Sequence, residues 1–275
     1  ATWHPSCFEF SEQRKKYISK QKANNKFNNV LNGIKQLNPK YFLPAAGPAI
    51  FPFLDPSLSF GKENIFVHQE ELNNFLVNNN FSRSLFLRPG DNLSSDLTKP
   101  IPSPNQEDIN DYKKNIIDAW NTIPNTLDLK LLHKCIEERL QNIKCIEITN
   151  CPMLIFNFSG YFDSDDRTSK NKIFIDLNNK IILDEFDYLS DYEEIISSKK
   201  YFNLMCSEGW QNVYLSLRAK VVRRPDAFSN DLNIFIFSDA GNINENFLRT
   251  RNIPQERINI KNANDEIFEI NRFCP

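Results

Sequence analysis

Glycine is scarce in this sequence, 7 in 275 residues, and methionine and histidine are scarcer still, at 2 and 3. Glycine-rich phosphate cradles are missing, since neither a P-loop nor a G-x-G-x-x-G occurs, and H-E-x-x-H and G-x-S-x-G are missing too. The three histidines, at positions 4, 68 and 133, are far apart and fall on different expected elements, so they do not make a self-contained zinc site. The six cysteines (Cys7, Cys135, Cys145, Cys151, Cys206 and Cys274) show no C-x-x-C spacing, and several lie in apolar runs. That usage argues against a secreted disulfide framework and for a reducing, cytoplasmic setting. No stretch reaches the roughly 18 to 20 apolar residues of a membrane span, and no signal-peptide pattern is present. A net charge of −2 gives no pull towards nucleic acid or an anionic membrane. The chain opens Ala1-Thr2-Trp3-His4 without a methionine and stops at Phe273-Cys274-Pro275 directly after a strand-like run, as an excised or partial chain would.

What the sequence does have is phenylalanine, 23 of them, within 40% hydrophobic residues. That is enough for real cores in two modest domains or one large one. The organising stretch is Asn38-Pro39-Lys40-Tyr41-Phe42-Leu43-Pro44-Ala45-Ala46-Gly47-Pro48. It reads as a short buried strand, Tyr41 to Leu43, entering a loop in which Pro44 and Pro48 fix φ, Gly47 permits positive φ, and Ala45 and Ala46 let the backbone approach a ligand. Before it, Phe27, Val30, Leu31, Ile34 and Leu37 follow helical spacing within 11–37. The basic residues 14–26 on that helix read as a solvated face. After it, His68-Gln69-Glu70-Glu71-Leu72 opens a second helix, with the two acids favouring its dipole. Ser84 to Leu87 then reads as a buried strand leaving through Arg88-Pro89-Gly90-Asp91, where Asp91 is either a turn residue or a ligand. His4, beside Pro5, is either a surface residue or a residue facing the site.

The polar, proline-rich stretch 92–104 is the best domain boundary in the chain. Beyond it, 108–120 and 128–143 read as helices, with Cys135 a small core residue on the second. Strands are expected at 145–149 and 153–158. A hairpin is expected at 174–183 with its turn at Asn178-Asn179. A helix is expected over 191–205, and strict alternation from Val213 to Val221 predicts a long half-buried strand. Arg218, Arg223 and Arg224 on and after that strand are either salt-bridged or free to take an anionic group. Asp163, Asp165 and Asp166 lack the closing Glu of an EF-hand and read as a solvated loop.

Several of these stretches together resemble one family. They are Cys7-Phe8-Glu9-Phe10 with its following basic helix, 37–48, the 68–72 helix start, Arg88-Pro89-Gly90-Asp91, and 213–226. They are similar to the CMP-N-acetylneuraminate monooxygenase-like family, metallo-β-lactamase-fold proteins that carry a Rieske iron–sulfur domain. The resemblance covers most of the chain and is weakest over 105–205. It implies an α/β then α+β chain: the C-terminal half of a metallo-β-lactamase-like αββα fold followed by a mixed α+β domain. The implied domains are 1–98, a linker at 99–107, an α+β domain at 108–262, and the first strand of a Rieske domain at 263–275. The family's His-x-His-x-Asp-His would lie upstream of Ala1. Asp91 would sit where the fold offers a late metal ligand, and Cys274 would be the first 2Fe–2S ligand of a truncated site. The intact protein would hold a 2Fe–2S cluster and a mononuclear or dinuclear iron or zinc site, neither complete in this chain. It would act as an oxidoreductase on a polar or anionic small-molecule substrate, with an electron-donor protein as partner. In that reading His4, Ala46, Gly47, Arg218, Arg223 and Arg224 shape the substrate site. A metal-dependent hydrolase of the same fold and a non-catalytic interaction module are the alternatives.

Overall fold

The first helix starts where Ser11 accepts a hydrogen bond from the Arg14 amide, and it stops where Asn38 turns left-handed at φ 41°. Between them, in a computed structural model of the chain, lies α1 (Glu12–Leu37), as the spacing predicts. The structure describes residues 4–44, 64–86, 106–160, 171–214, 216–251, 257–261 and 267–271. Within these follow α2 (Gln69–Asn78), α3 (Gln106–Thr122), α4 (Leu129–Asn142), β1 (Met153–Asn157), β2 (Lys172–Asp176), β3 (Ile181–Leu183), β4 (Tyr192–Ile196), α5 (Lys199–Glu208), α6 (Trp210–Tyr214), β5 (Lys220–Arg224), α7 (Asn230–Phe237), α8 (Ile243–Arg251), β6 (Arg257–Lys261) and β7 (Ile267–Asn271). None of the described helices is long and apolar enough to cross a membrane.

The chain divides into two compact units. One comprises 1–10, 119–254 and 275; the other comprises 11–118 and 255–274. In the second, Leu31 and Ile34 of α1 pack with Leu76 of α2 and with Phe81, and Phe27 stacks on Phe75 at 4.8 Å. The strands expected at 41–43 and from Ser84 shrink there to a single parallel bridge between Phe42 and Ser84. β6 and β7 pair antiparallel, Asn259 opposite Glu269. The loop residues Ala46 and Gly47, the Pro89–Asp91 exit, the proline-rich stretch up to 105, the acidic loop at 163–166 and Cys274 lie outside the described residues.

The first unit is mixed α/β, built on a five-stranded sheet in the order β3-β2-β1-β4-β5. β1 and β4 are parallel and the other neighbours antiparallel. Because side chains alternate across a strand, Leu154, Phe156, Ile173, Ile175 and Ile195 share one face. That face is buried with Leu132 and Ile136 of α4, Phe202 and Met205 of α5, Trp210 of α6, Phe235 of α7 and Phe247 of α8. Phe156 sits between the Phe202 and Trp210 rings, at 5.1 and 5.3 Å. α4 starts as expected, Asp128 accepting from the Leu131 amide at 3.0 Å.

Three expectations are corrected here. The segment 191–205 is not one helix: Tyr192–Ile196 is a strand between β1 and β5, and the helix begins only after Ser198. The Val213–Val221 alternation is not one strand either. Gly209, at φ 89°, lets a new helix start, and Trp210, Val213 and Tyr214 bury the i, i+3, i+4 face of α6. Leu217 then reverses the chain at φ 59° before β5 begins at Lys220. Residues 145–149 form no strand, although Ile146 and Ile148 are buried. The hairpin is present, but its left-handed residue is Lys180, at φ 58°. The turn asparagines serve instead as amide donors to Asp176 Oδ1, at 2.8 and 3.1 Å.

Candidate functional site

Glu193 and Glu194 are neighbours on the inner strand β4, so they point to opposite faces of the sheet. Both are buried, at 3% and 7% exposure. A carboxylate there requires a partner, because an unpaired buried charge is prohibitively costly. Glu193 shares the core face with Leu154, and its register partner on β5 is Arg223. Arg223 Nε donates to Glu193 Oε2 at 2.5 Å, and the Tyr214 hydroxyl donates to Oε1 at 3.3 Å. Burial first, then the Glu193 charge, hold the Tyr214 hydroxyl well above the ordinary phenol range. Tyr214 is therefore a fixed donor at any ordinary pH.

On the other face, Glu194 accepts from Asn157 Nδ2 at 2.8 Å and pairs with Lys172 at 3.0 Å, and Lys172 also donates to the Tyr188 hydroxyl at 2.7 Å. Burial pulls the Lys172 ammonium down, but the Tyr188 and Glu194 hydrogen bonds outweigh it and the net shift is upward. This cluster is closed by its own partners.

The Glu193 side opens at the end of β5 into a groove of about 280 Å³. Its lining includes Asp191, Glu193, Arg223, Arg224, Phe228 and Ser229. Arg223 is clamped by its Nε alone, and its guanidinium stands 4.7 Å from the Phe8 ring centroid and 5.9 Å from that of Phe228. Its terminal nitrogens make no hydrogen bond to another described residue, so half of its planar fork is available to a ligand. Arg224 is more fully engaged, donating to Glu9 Oε2 at 2.6 Å and to the Arg223 carbonyl at 2.8 Å. Glu9 also faces Lys220 at 3.6 Å. Two acids and two arginines leave the groove walls near neutral. Beside the groove, burial pushes the Cys151 thiol up to about 12, against the pull of its hydrogen bond with Ser229. It is not a nucleophile at neutral pH.

Comparison with protein-family models, curated proteins and solved structures finds no match.

Of the residues singled out from sequence, the structure brings Arg223 and Arg224 together on this groove. Arg218 precedes β5 and stacks on Trp120 at 4.2 Å, its carbonyl accepting from Ser197 Oγ at 2.8 Å. It does not line the groove. His4 is fully buried, with Nδ1 2.8 Å from Ser6 Oγ, capping the short 3-10 turn Pro5–Cys7. Asp91, Ala46, Gly47 and Cys274 lie outside the described residues. Sequence reading missed Glu193 and Tyr214. Taking 191–205 as helix puts both acids on a solvated first turn, and taking Tyr214 as a strand residue turns it away from them. The signal was the Tyr-Glu-Glu-Ile-Ile run itself, whose aromatic and β-branched residues favour a strand.

No group of three or more His, Cys, Asp or Glu placed to hold a metal occurs among the described residues. The described residues thus offer no ligand set for an iron–sulfur cluster or a metal centre.

Proposed function

We propose that this chain is part of a cytoplasmic oxidoreductase joining a metallo-β-lactamase-like layer to a Rieske domain, monooxygenase-like in chemistry. Its α+β unit contributes a seat for a polar small-molecule substrate at the β4–β5 edge. The observation that supports the seat is the half-open Arg223 fork, held rigid by Glu193 and flanked by Phe228. A guanidinium fixed at one edge offers parallel donors to a carboxylate or phosphate at low entropic cost. Because Asp191 and Glu193 balance the arginines, the seat suits a ligand carrying one anionic group among polar ones better than a polyanion. In this reading the ligands for the cluster and the metal lie outside the described residues. An electron-donor protein would be the physiological partner.

The test has two arms. The coding region extended on both sides is expressed, and its absorption and electron paramagnetic resonance spectra are recorded after reduction. A reduced 2Fe–2S signature supports the oxidoreductase; a cluster-free protein that cleaves phosphodiester or ester substrates overturns it in favour of a hydrolase. Calorimetric titration with sugar phosphates and sugar carboxylates probes the seat. Arg223→Gln is expected to weaken binding by roughly 10-fold or more, and affinity unchanged by that substitution would remove the seat from the reading.

A further inference from the structure

The two edges of the five-stranded sheet are finished differently. On the β5 side Phe8 bridges to Val221 and occupies the edge. On the other side β3 pairs with β2 alone, so among the described residues its outer backbone groups have no strand partner. Along this open edge, between β3 and α4, runs a groove of about 470 Å³. Its lining includes Glu137, Leu140, Gln141 and Lys144 on the helix side and Ile181 and Ile182 on the strand side. Glu137, Gln141 and Lys144 fall at i, i+4 and i+7, on one stripe, and all three are exposed. Ile182 shares the core face with its register partner Ile175, whereas Ile181, 44% exposed, lies on the far face. Lys180 stands just before β3, and the exposed Asp184 just after it. None of Glu137, Lys144, Lys180 and Asp184 makes an ion pair with a described residue.

We propose that β3 and α4 form a two-fold interface with a second copy of this chain, joining the two five-stranded sheets into one continuous sheet. The edge is complementary to itself. With the two-fold axis at Ile182, β3 runs antiparallel to β3 of the other copy. Ile181 then faces Leu183 of the other copy and Lys180 stands beside its Asp184, because Ile182 is the midpoint of both pairs. The α4 stripe has its midpoint at Leu140 and Gln141, which line the same groove as Ile182. The same axis therefore brings Glu137 opposite Lys144 of the other copy, and by symmetry each pair occurs twice. The two grooves merge into a seam that shuts Leu140 and Ile182 of both copies from water. Edge amides and carbonyls hold the strands together, and the charge pairs fix the register. A one-residue slip would set Ile181 opposite Ile182 and turn the second copy's helices to the other side of the sheet, away from α4.

The experiment is sedimentation velocity of the purified chain from nanomolar to high micromolar concentration, with amide hydrogen exchange at both ends of that range. The expected result is a shift from one chain to two as concentration rises, with slower exchange in peptides spanning 181–183. Glu137→Lys alone and Lys144→Glu alone each set like charges together twice, and each should weaken association by roughly 10-fold. The two substitutions combined restore opposite charges and should return association to near the wild-type value. Both positions are exposed, so neither substitution removes a core contact. A chain that stays single throughout overturns the proposal. So does a dimer that ignores the single substitutions, one that the combined variant fails to restore, or one whose 181–183 exchange is unchanged. The wild-type measurements need no variant to fold.

Discussion

Arg139 is 3% exposed and has no carboxylate at ion-pair distance among the described residues. Its guanidinium lies 4.2 Å from the Trp210 ring centroid and donates to the carbonyls of Phe235 and Ser238, the latter at 2.5 Å. Those carbonyls end α7, where helical partners run out and the dipole is negative. Burial brings this arginine down to about 10, with Asp239 pulling the other way, so it stays a cation at neutral pH. One charged side chain thus closes a helix end and fastens α7 to α4. Replacing Arg139 with Met is expected to lose about 2–4 kcal/mol in urea unfolding, since two buried carbonyls lose their donor. A loss below about 0.5 kcal/mol would mean that the carbonyls find other partners and that the arginine is dispensable.

At the scale of elements, what could be read from sequence was whatever depends on local signals. α1, α2 and α4 follow from apolar spacing and from capping residues such as Ser11 and Asp128. The β2–β3 hairpin follows from two apolar runs around a polar turn. β4 and α6 could not be read this way, because their buried polar groups depend on partners remote in sequence: Glu193 needs Arg223, and Tyr214 needs Glu193. Arg223 and Arg224 were legible as candidates from their charge, but their neutralising acids were not. The hairpin also carries a local conflict that can be tested. Lys180 holds φ 58°, a conformation that costs an L-residue with a Cβ about 1 kcal/mol and glycine almost nothing. Lys180→Gly is therefore expected to stabilise the protein by about 0.5–1 kcal/mol in denaturant unfolding. Destabilisation would show that the lysine side chain contributes more than its backbone strain costs.

At the scale of the molecule, the first ten residues belong to the same unit as 119–254, although more than a hundred residues of chain intervene. Phe8 makes a parallel bridge to Val221, Cys7 is fully buried, and Glu9 grips Arg224 and Lys220. Above all the Arg224 hydrogen bond holds the Glu9 carboxyl below its usual value near 4.5, with Lys220 helping and burial opposing. The sign follows from linkage. A carboxyl whose folded pKa is depressed stabilises the fold above its unfolded pKa, and that stability disappears as pH falls through the folded value. Because Glu9 is nearly half exposed, solvent screens the effect. Urea midpoints taken at about pH 7 and about pH 3.5 should fall further for the wild type than for Glu9→Gln. Equal falls would mean that this tether is immaterial to stability.

The Phe8 segment also acts as a sheath. β5 is the last strand on its side of the sheet, and an uncovered strand edge offers unpaired amides and carbonyls to any neighbouring molecule. With residues 8–10 peeled away or trimmed off, Val221 and its neighbours become sticky towards other copies of the chain. Damage to this short segment would then show first as turbidity on storage, before any chemistry is lost.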